Sequence, residues 1–403
     1  MGLRSTTKSG QETHTVKRLL IITGRPLGSI DGGDKLRIWN ICNSLSADYQ
    51  LDLLCVSDTE TTYGDNYKIF ENVIFIKVAW LERIWGLFLS LIKLRPLQIG
   101  YYRNKRAREF IVENQHKYDY LVCHLSRLAH LVENYENKTV LEATDALTLM
   151  YERSIRNLRF NFKSLIYIYE YFAMKKFEQT ISRKFFRVVV VGSRDACFLN
   201  QCNNYKKKND NVLVIENGSN IRVRNKVFDI KSNTLLFLGN LRSLQNQDAV
   251  FFFSTLILPE MQRKGYQFKL RVIGSVPPRF VNKCPSNIEF VGSKDDLVIA
   301  TSDVFAGICP MRIGAGVQNK ILDYFSLGIP ALASKLSAQP FVDRKVSCIS
   351  ICETADDYIY ALNNLRDKKS YFKTVDQGYR QLEKNYSWAE NLQAYRELFK
   401  SGY

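Results

Sequence analysis

Short apolar runs rich in Leu, Ile, Val and Phe recur along this chain, each followed by a stretch that reads as helix or loop. The first is RLLIITG at 18–24 and the next YQLDLLCVS at 49–57; others stand at 72–79, 119–126, 138–144, 187–193 and 211–215. After a polar stretch the rhythm restarts at 234–238, 268–273, 288–291, 303–309 and 330–334. A run that is apolar throughout, such as the four valines at 188–191, suits a strand covered on both faces. Strands that alternate with helices pair in parallel, so the pattern specifies an α/β fold. A chain of 403 residues exceeds what one hydrophobic core usually supports, so two domains are expected.

The polar stretch is SNIRVRNKVFDIKSN, residues 219–233, which has no sustained period and reads as an inter-domain linker. The expected division is a disordered tail 1–17, a first domain 18–218, the linker 219–233 and a second domain 234–380. The helical segment 381–403 is expected to pack back on the first domain. In the second half, three strands each end in glycine, at Gly239, Gly274 and Gly292. They suggest turns opening onto one carboxyl edge, where α/β proteins bind ligands.

The formal charge of +17 calls for an anionic partner, whether nucleic acid, acidic membrane or phosphorylated substrate. No zinc finger, RNA-binding aromatic strand or separate basic domain is legible, so nucleic acid is the weaker choice. Nine cysteines, mostly inside apolar runs, and four histidines without metal spacing read as reduced buried thiols with no metal site, as in a cytoplasmic protein. The N-terminus MGLRSTTKSGQETHTVK lacks the apolar region of a signal peptide; it fits a Gly2 acylation pattern but reads as a tail. The run Lys206-Lys207-Lys208 reads as a solvated loop.

Two glycine loops carry chemistry. GRPLGSIDGGDKLRIWN, residues 24–40, follows the first strand and leads into a helix, with Gly32 and Gly33 permitting close approach of a ligand and Lys35 and Arg37 adding charge. PMRIGAGVQNKILDYFSLGIPALAS, residues 310–334, places Arg312, Gly314, Ala315, Gly316 and Val317 before a helix that carries Lys320 and Asp323. Free N–H groups at a helix start favour anions, and Lys320 and Asp323, three residues apart, share one helix face. A cation for phosphate and a carboxylate for hydroxyls is the pairing a nucleotide sugar needs.

These residues, with VVVVGSRDACFL at 188–199, NGSN at 217–220, LLFLGNLRSLQNQDA at 235–249, ILPEM at 257–261 and VIG at 272–274, resemble the retaining family-4 (group 1) glycosyltransferases over roughly residues 18–400. The match is best among bacterial transferases of polysaccharide and lipid-linked saccharide synthesis. The resemblance implies the GT-B fold, with two Rossmann-like domains whose parallel sheets face a cleft. It implies a nucleoside-diphosphate sugar as donor, no other cofactor, no metal, and a hydroxyl acceptor on the first domain. Asp323 would bond the ribose, while Lys320 and Arg312 would hold the diphosphate, because Asn240 and Gln245 stand where the family often has Arg and Lys. Ala315 stands where a first acid is common, so backbone N–H groups at 314–317 would meet the sugar.

His124 ends an apolar strand at the expected cleft and is given a catalytic or transition-state role by the resemblance, alongside Lys320 and Asp323. Arg127 and Asp145 are acceptor-side candidates with Lys35; Asp145 would otherwise serve as a helix N-cap. In 80–117, Trp80, Leu81, Ile84, Trp85, Phe88, Leu91 and Ile92 recur at helical spacing with basic flanks. That suits peripheral contact with an anionic membrane, at the inner face of the cytoplasmic membrane, where a lipid-linked acceptor would lie; a helix packed on its own domain is the plain alternative. Ala315, Asn240 and Gln245 also leave open a catalytically silent GT-B scaffold that binds a partner transferase.

Overall fold

The computed structural model describes residues 16–28, 30, 32–58, 64–157, 162–201, 211–223, 228–285, 287–294, 296–313, 317–342 and 348–400. Gly2 and nearly all of the tail, Lys206–Lys208, and Gly314, Ala315 and Gly316 lie outside the described residues.

The chain folds in the order β1 (Arg18–Thr23), α1 (Gly33–Leu45), β2 (Gln50–Val56), β3 (Asn72–Ile76), α2 (Trp80–Ile92), β4 (Tyr120–His124), β5 (Thr139–Thr144), α3 (Phe162–Lys184), β6 (Arg187–Val190) and β7 (Val212–Val214). Then follow β8 (Thr234–Leu238), β9 (Lys269–Ile273), β10 (Ile288–Gly292), β11 (Val304–Cys309), α4 (Asn319–Ser326), β12 (Ala331–Ala333), β13 (Ile349–Ile351), α5 (Lys368–Asn385) and α6 (Trp388–Glu397), with shorter helices between. The first seven strands form one sheet in the order β3-β2-β1-β4-β5-β6-β7. The last six form another in the order β10-β9-β8-β11-β12-β13. Every described pairing is parallel. Three of the four valines lie in β6, one place in from the edge of the first sheet, and Val191 follows it. The strand at 349–351, hidden in the short run SCISIC, is one the pattern of apolar runs did not disclose.

Successive residues of a strand face opposite layers. On β1, Leu20 and Ile22 enter one core with Leu54, Cys123 and Val188. Leu19 and Ile21 enter the other with Ile38, Ile41 and Leu53. That second core also holds Trp388, Leu392, Tyr395 and Phe399, so α6 completes the first domain. α5 belongs to the second domain, where Tyr371, Val375, Tyr379 and Leu382 join the core of β8–β12.

The two places where the chain passes between domains lie side by side. The Ser219 N–H donates to the Tyr386 carbonyl (2.7 Å) and Asn391 Nδ2 to the Asn217 carbonyl (3.1 Å). A Cβ on Gly218 would stand 2.5 Å from the Trp388 nitrogen, so only glycine fits that crossing. The segment expected to be a plain linker is packed where it is described. Arg222 and Val223 donate their N–H groups to the Ser326 carbonyl at the end of α4 (2.8 and 3.0 Å), and Phe228 lies edge-on to Tyr371 at 5.0 Å.

Candidate active site

Both sheets have the strand order in which the winding reverses beside the first strand. In the first domain the reversal lies between β1 and β4, in the second between β8 and β11. The carboxyl ends of such strand pairs are where open α/β sheets bind ligands. Thr23 and His124 end β1 and β4. The Leu238–Asn240 turn and Cys309–Met311 follow β8 and β11.

In the second domain the three glycine turns meet as expected. Gly239 N–H donates to the Ile273 carbonyl (3.0 Å) and Gly274 N–H to the Gly292 carbonyl (2.9 Å). Gly274 has φ +142°, and a Cβ there would overlap the Gly239 carbonyl, so the turns stack on glycine alone. α4 is pinned beneath its neighbours by Tyr324, whose hydroxyl donates toward the Leu236 and Ile308 carbonyls (3.1 and 2.8 Å) and accepts the Leu238 N–H (3.2 Å). A Cβ on Gly307 would come within 2.5 Å of the Tyr324 ring, which explains a glycine inside β11.

Lys320 sits on the first turn of α4, only 9% exposed. Its ammonium lies 3.3 Å from Asn246 Oδ1, 3.3 Å from Gln318 Oε1, 3.7 Å from Met311 Sδ, and 5.2 Å above the Phe237 ring. These partners are all uncharged, and burial lowers the lysine pKa from its ordinary value, with Cys309 and Asp323 opposing. Gln318 stands at the N-cap of α4 without capping it by a side-chain bond. Asp323 is half-buried and pairs with Arg222 at 3.4 Å; burial raises its carboxyl, against the pull of Arg222 and Lys320. Val317 is buried at the loop's end. Arg312 is held by Asp248, Nε to Oδ2 at 3.0 Å and Nη2 to Oδ1 at 2.5 Å, with its guanidinium 4.5 Å over the Phe252 ring. Asn240 supports the turn, its Oδ1 accepting the Arg242 N–H (2.9 Å) and its carbonyl accepting from Asn246 Nδ2 (2.9 Å).

In the first domain His124 is fully buried, its Nδ1 3.0 Å from Thr23 Oγ1. Thr23 Oγ1 already accepts the Arg25 N–H (3.0 Å), so its own proton is free for Nδ1. With Thr23 as donor the imidazole carries its own proton on Nε2, which is buried with no hydrogen-bond partner among the described residues. Burial drives the His124 pKa down to about 3, so the ring is neutral at pH 7. Asp34, beside it, would be raised by burial but is held below the ordinary carboxylate range by Arg25, whose Nε donates at 2.6 Å. Leu125 (φ +74°) and Thr144 (φ +68°) follow β4 and end β5 in left-handed conformations that cost roughly 1–3 kcal/mol each and cluster at functional sites.

Arg127 lies over Tyr102 at 5.4 Å, close enough to His124 for its charge to act on it. Lys35 is in the first turn of α1, within electrostatic reach of Cys55 at the end of β2. Asp145 does not cap the following helix. Asp195 accepts the Ala146 N–H (2.9 Å) and Glu178 the Leu147 and Thr148 N–H groups (2.7 and 3.2 Å), while burial, reinforced by Asp195, pushes Asp145 up to about 7. Arg37 is not a loop charge. It is wholly buried in a two-pronged pair with Glu142, Nε to Oε1 at 2.9 Å and Nη2 to Oε2 at 3.0 Å. Gly32 and Gly33 open α1, and Gly33 faces Asn319 of the second domain, where a Cβ would lie 2.6 Å from Asn319 Nδ2.

Thr23, Asp34, Asn217, Asn246, Asp248 and Asn319 belong to this region and escaped the sequence reading. For Asn246 and Asp248 a signal existed, polar residues in the first two turns of the helix after β8, Leu244–Phe252. Asn319 was masked by its neighbour Lys320.

Residues 232–367 match the sequence model of the family described as glycosyl transferases group 1. An uncharacterised 44.6 kDa protein in the cps region of Klebsiella pneumoniae is 24% identical over 274 residues, which span 64% of this chain and 66% of that protein, just under two thirds of its length. Sucrose-phosphate synthase from Thermosynechococcus elongatus superposes with TM-score 0.68 at 12% identity, over 96% of this chain and all of that one. Anabaena HepE, solved in complex with UDP and glucose, superposes with TM-score 0.64 at 13% identity, again over 96% of this chain and all of that one. The fold is GT-B, two Rossmann-like domains with parallel sheets facing a cleft. Within it, the second domain carries the group 1 glycosyltransferase match.

Proposed function

We propose that this protein transfers a sugar from a nucleoside-diphosphate sugar to a hydroxyl of a saccharide or lipid-linked acceptor, with retention, in bacterial polysaccharide synthesis. The observation that carries it is Lys320, a buried ammonium among uncharged partners at the start of α4. Such a cation is costly unless an anion arrives, and the helix terminus adds N–H groups for the same anion. The donor diphosphate would sit there, with Asp323 on the ribose hydroxyls. Charge that develops on the departing diphosphate would be stabilised by Lys320 and the α4 dipole. Arg312 joins them if the anion draws it from Asp248. That diphosphate would take the acceptor proton on the face it leaves, which preserves configuration and needs no protein nucleophile. His124 would contribute as a neutral ring, its Nε2–H donating to a hydroxyl of the transferred sugar. HepE binding UDP and glucose in the same fold, and a relative encoded in a cps region, support the reading.

The test is thermal shift of the full-length protein with UDP and a panel of nucleotide sugars. Binding to the native state raises apparent stability by mass action. Lys320→Ala is expected to weaken UDP binding roughly 10- to 100-fold, the worth of a charge-assisted hydrogen bond. Unchanged affinity in that variant would remove the donor site from α4.

The acceptor side of the proposal includes contact with an anionic membrane through α2. No helix among the described residues is long and apolar enough to cross a bilayer. α2 is nevertheless turned inside out for a core helix. Its buried positions are the small residues Gly86 and Ser90, while Trp80 (67% exposed), Trp85 (58%) and Phe88 (50%) face outward. Amphipathic helices of this kind lie in the interface of a bilayer.

A further inference from the structure

Gly33 has an extended or helical backbone that any residue could adopt, so its lack of a side chain is explained by space. The space is taken by Asn319, the first residue of α4, whose Nδ2 would lie 2.6 Å from a Cβ at position 33. Asn319 Oδ1 accepts from Asn217 Nδ2 at 2.7 Å. Asn217 Oδ1 accepts from Arg37 Nη1 at 2.9 Å. Arg37 is held in turn by both oxygens of Glu142, with the pair wholly buried and Thr144 Oγ1 donating to Glu142 Oε1 at 3.2 Å.

The order of donors and acceptors along this row is forced. A carboxylate only accepts and a guanidinium only donates, so Asn217 must turn its oxygen to Arg37 and its NH2 to Asn319. Asn319 must then turn its oxygen to Asn217 and its NH2 to Gly33. A buried ion pair between α1 and β5 of the first domain thus fixes, through the crossing at Asn217, which way one side chain of the second domain faces. That side chain meets the first domain's glycine loop next to Lys320.

We propose that Asn319 is a positioning residue that latches the two domains, setting the gap between the Gly32–Gly33 loop and the first turn of α4. The latch stands on the hydrogen-bonded row alone. Its consequence for a donor, that it aligns Lys320 with the first domain's wall of the cleft, rests on the transferase reading.

The test is a cycle of Gly33→Ala, Asn319→Ala and the double variant in the full chain, read by amide hydrogen exchange and by UDP affinity. Asn319→Ala is expected to lower exchange protection in both 33–45 and 319–326, although the substitution is made in only one of them. Gly33→Ala, which must push Asn319 aside, is expected to do the same in the native background and to add nothing in the Asn319→Ala background, since residues in contact are not additive. UDP affinity should fall roughly fivefold to tenfold in each single variant and no further in the double. Effects that multiply, or exchange at 33–45 that is unchanged by Asn319→Ala, would overturn the latch. Loss of UDP response in the unsubstituted protein would instead count against the donor site, and the exchange measurement would still decide the latch.

Discussion

At the scale of single residues, Arg37 shows how far a side chain's role can depart from its setting in the sequence. It stands among Gly33, Asp34 and Lys35 and reads as one more loop charge, yet it spans the interior to Glu142, 105 residues away. Breaking a buried pair from one side leaves an uncompensated charge, so Arg37→Met should destabilise the protein by roughly 3–5 kcal/mol in chemical denaturation. Asp145 offers a test with pH. Its folded pKa, about 7, lies above the ordinary 3.8, so the folded form holds its proton more tightly. No cost arises below pH 4; a cost grows as pH rises through 4 to 7 and is complete above 7. Asp145→Asn is therefore expected to raise the melting temperature at pH 8 by roughly 2–4 °C while leaving it unchanged at pH 4. His124 and Asp323 were legible as residues that end a strand or share a helix face. Their protonation and partners were not, because burial and the approach of Thr23 or Arg222 come from other parts of the chain.

At the scale of elements, α2 reads from sequence as an apolar helix with basic flanks, and either membrane contact or core packing would fit that pattern. The structure shows which face of the helix packs and which is left exposed. α2 packs through Gly86 on the short helix Leu97–Tyr101, so closely that a Cβ on Gly86 would overlap the Gly100 carbonyl. The large apolar residues are left on the outside. Trp85→Glu combined with Phe88→Glu should abolish sedimentation with vesicles of phosphatidylcholine and phosphatidylglycerol and change stability by no more than about 0.5 kcal/mol, as for exposed positions generally. Retained sedimentation would remove α2 as the membrane contact. The strands were the most legible elements, since every one of those apolar runs became one. β13 escaped because its short run SCISIC alternates Ser and Cys with Ile, whereas β7, equally short and also at an edge, lies in the continuous apolar run VLVI.

At the scale of the whole molecule, the C-terminal segment divides between the domains. Tyr386, just after α5, lies in the second core, and α6 begins in the first at Trp388. Tyr395 on α6 is buried beside the Arg37–Glu142 pair, and burial with that carboxylate nearby raises its phenol well above the ordinary value. Trp388→Ala should cost roughly 3–5 kcal/mol, as large-to-small core changes do. The loss should appear as reduced exchange protection in β1 and α1 of the first domain, far back along the chain, rather than in β8–β12.

The sequence by itself determined that this chain is two parallel α/β units, because runs apolar on both faces have no stable place except inside covered sheets. It also marked the helix at 319–326 as a candidate anion site, since a glycine loop leading to a basic first turn is a local device. Only the tertiary structure decided that Lys320 is buried among neutral partners, that Arg312 is held by Asp248, and that Gly33 makes room for Asn319. Those facts depend on contacts between segments 64 to nearly 300 residues apart, and a chain's local pattern carries no record of which distant side chain will fill the space beside it.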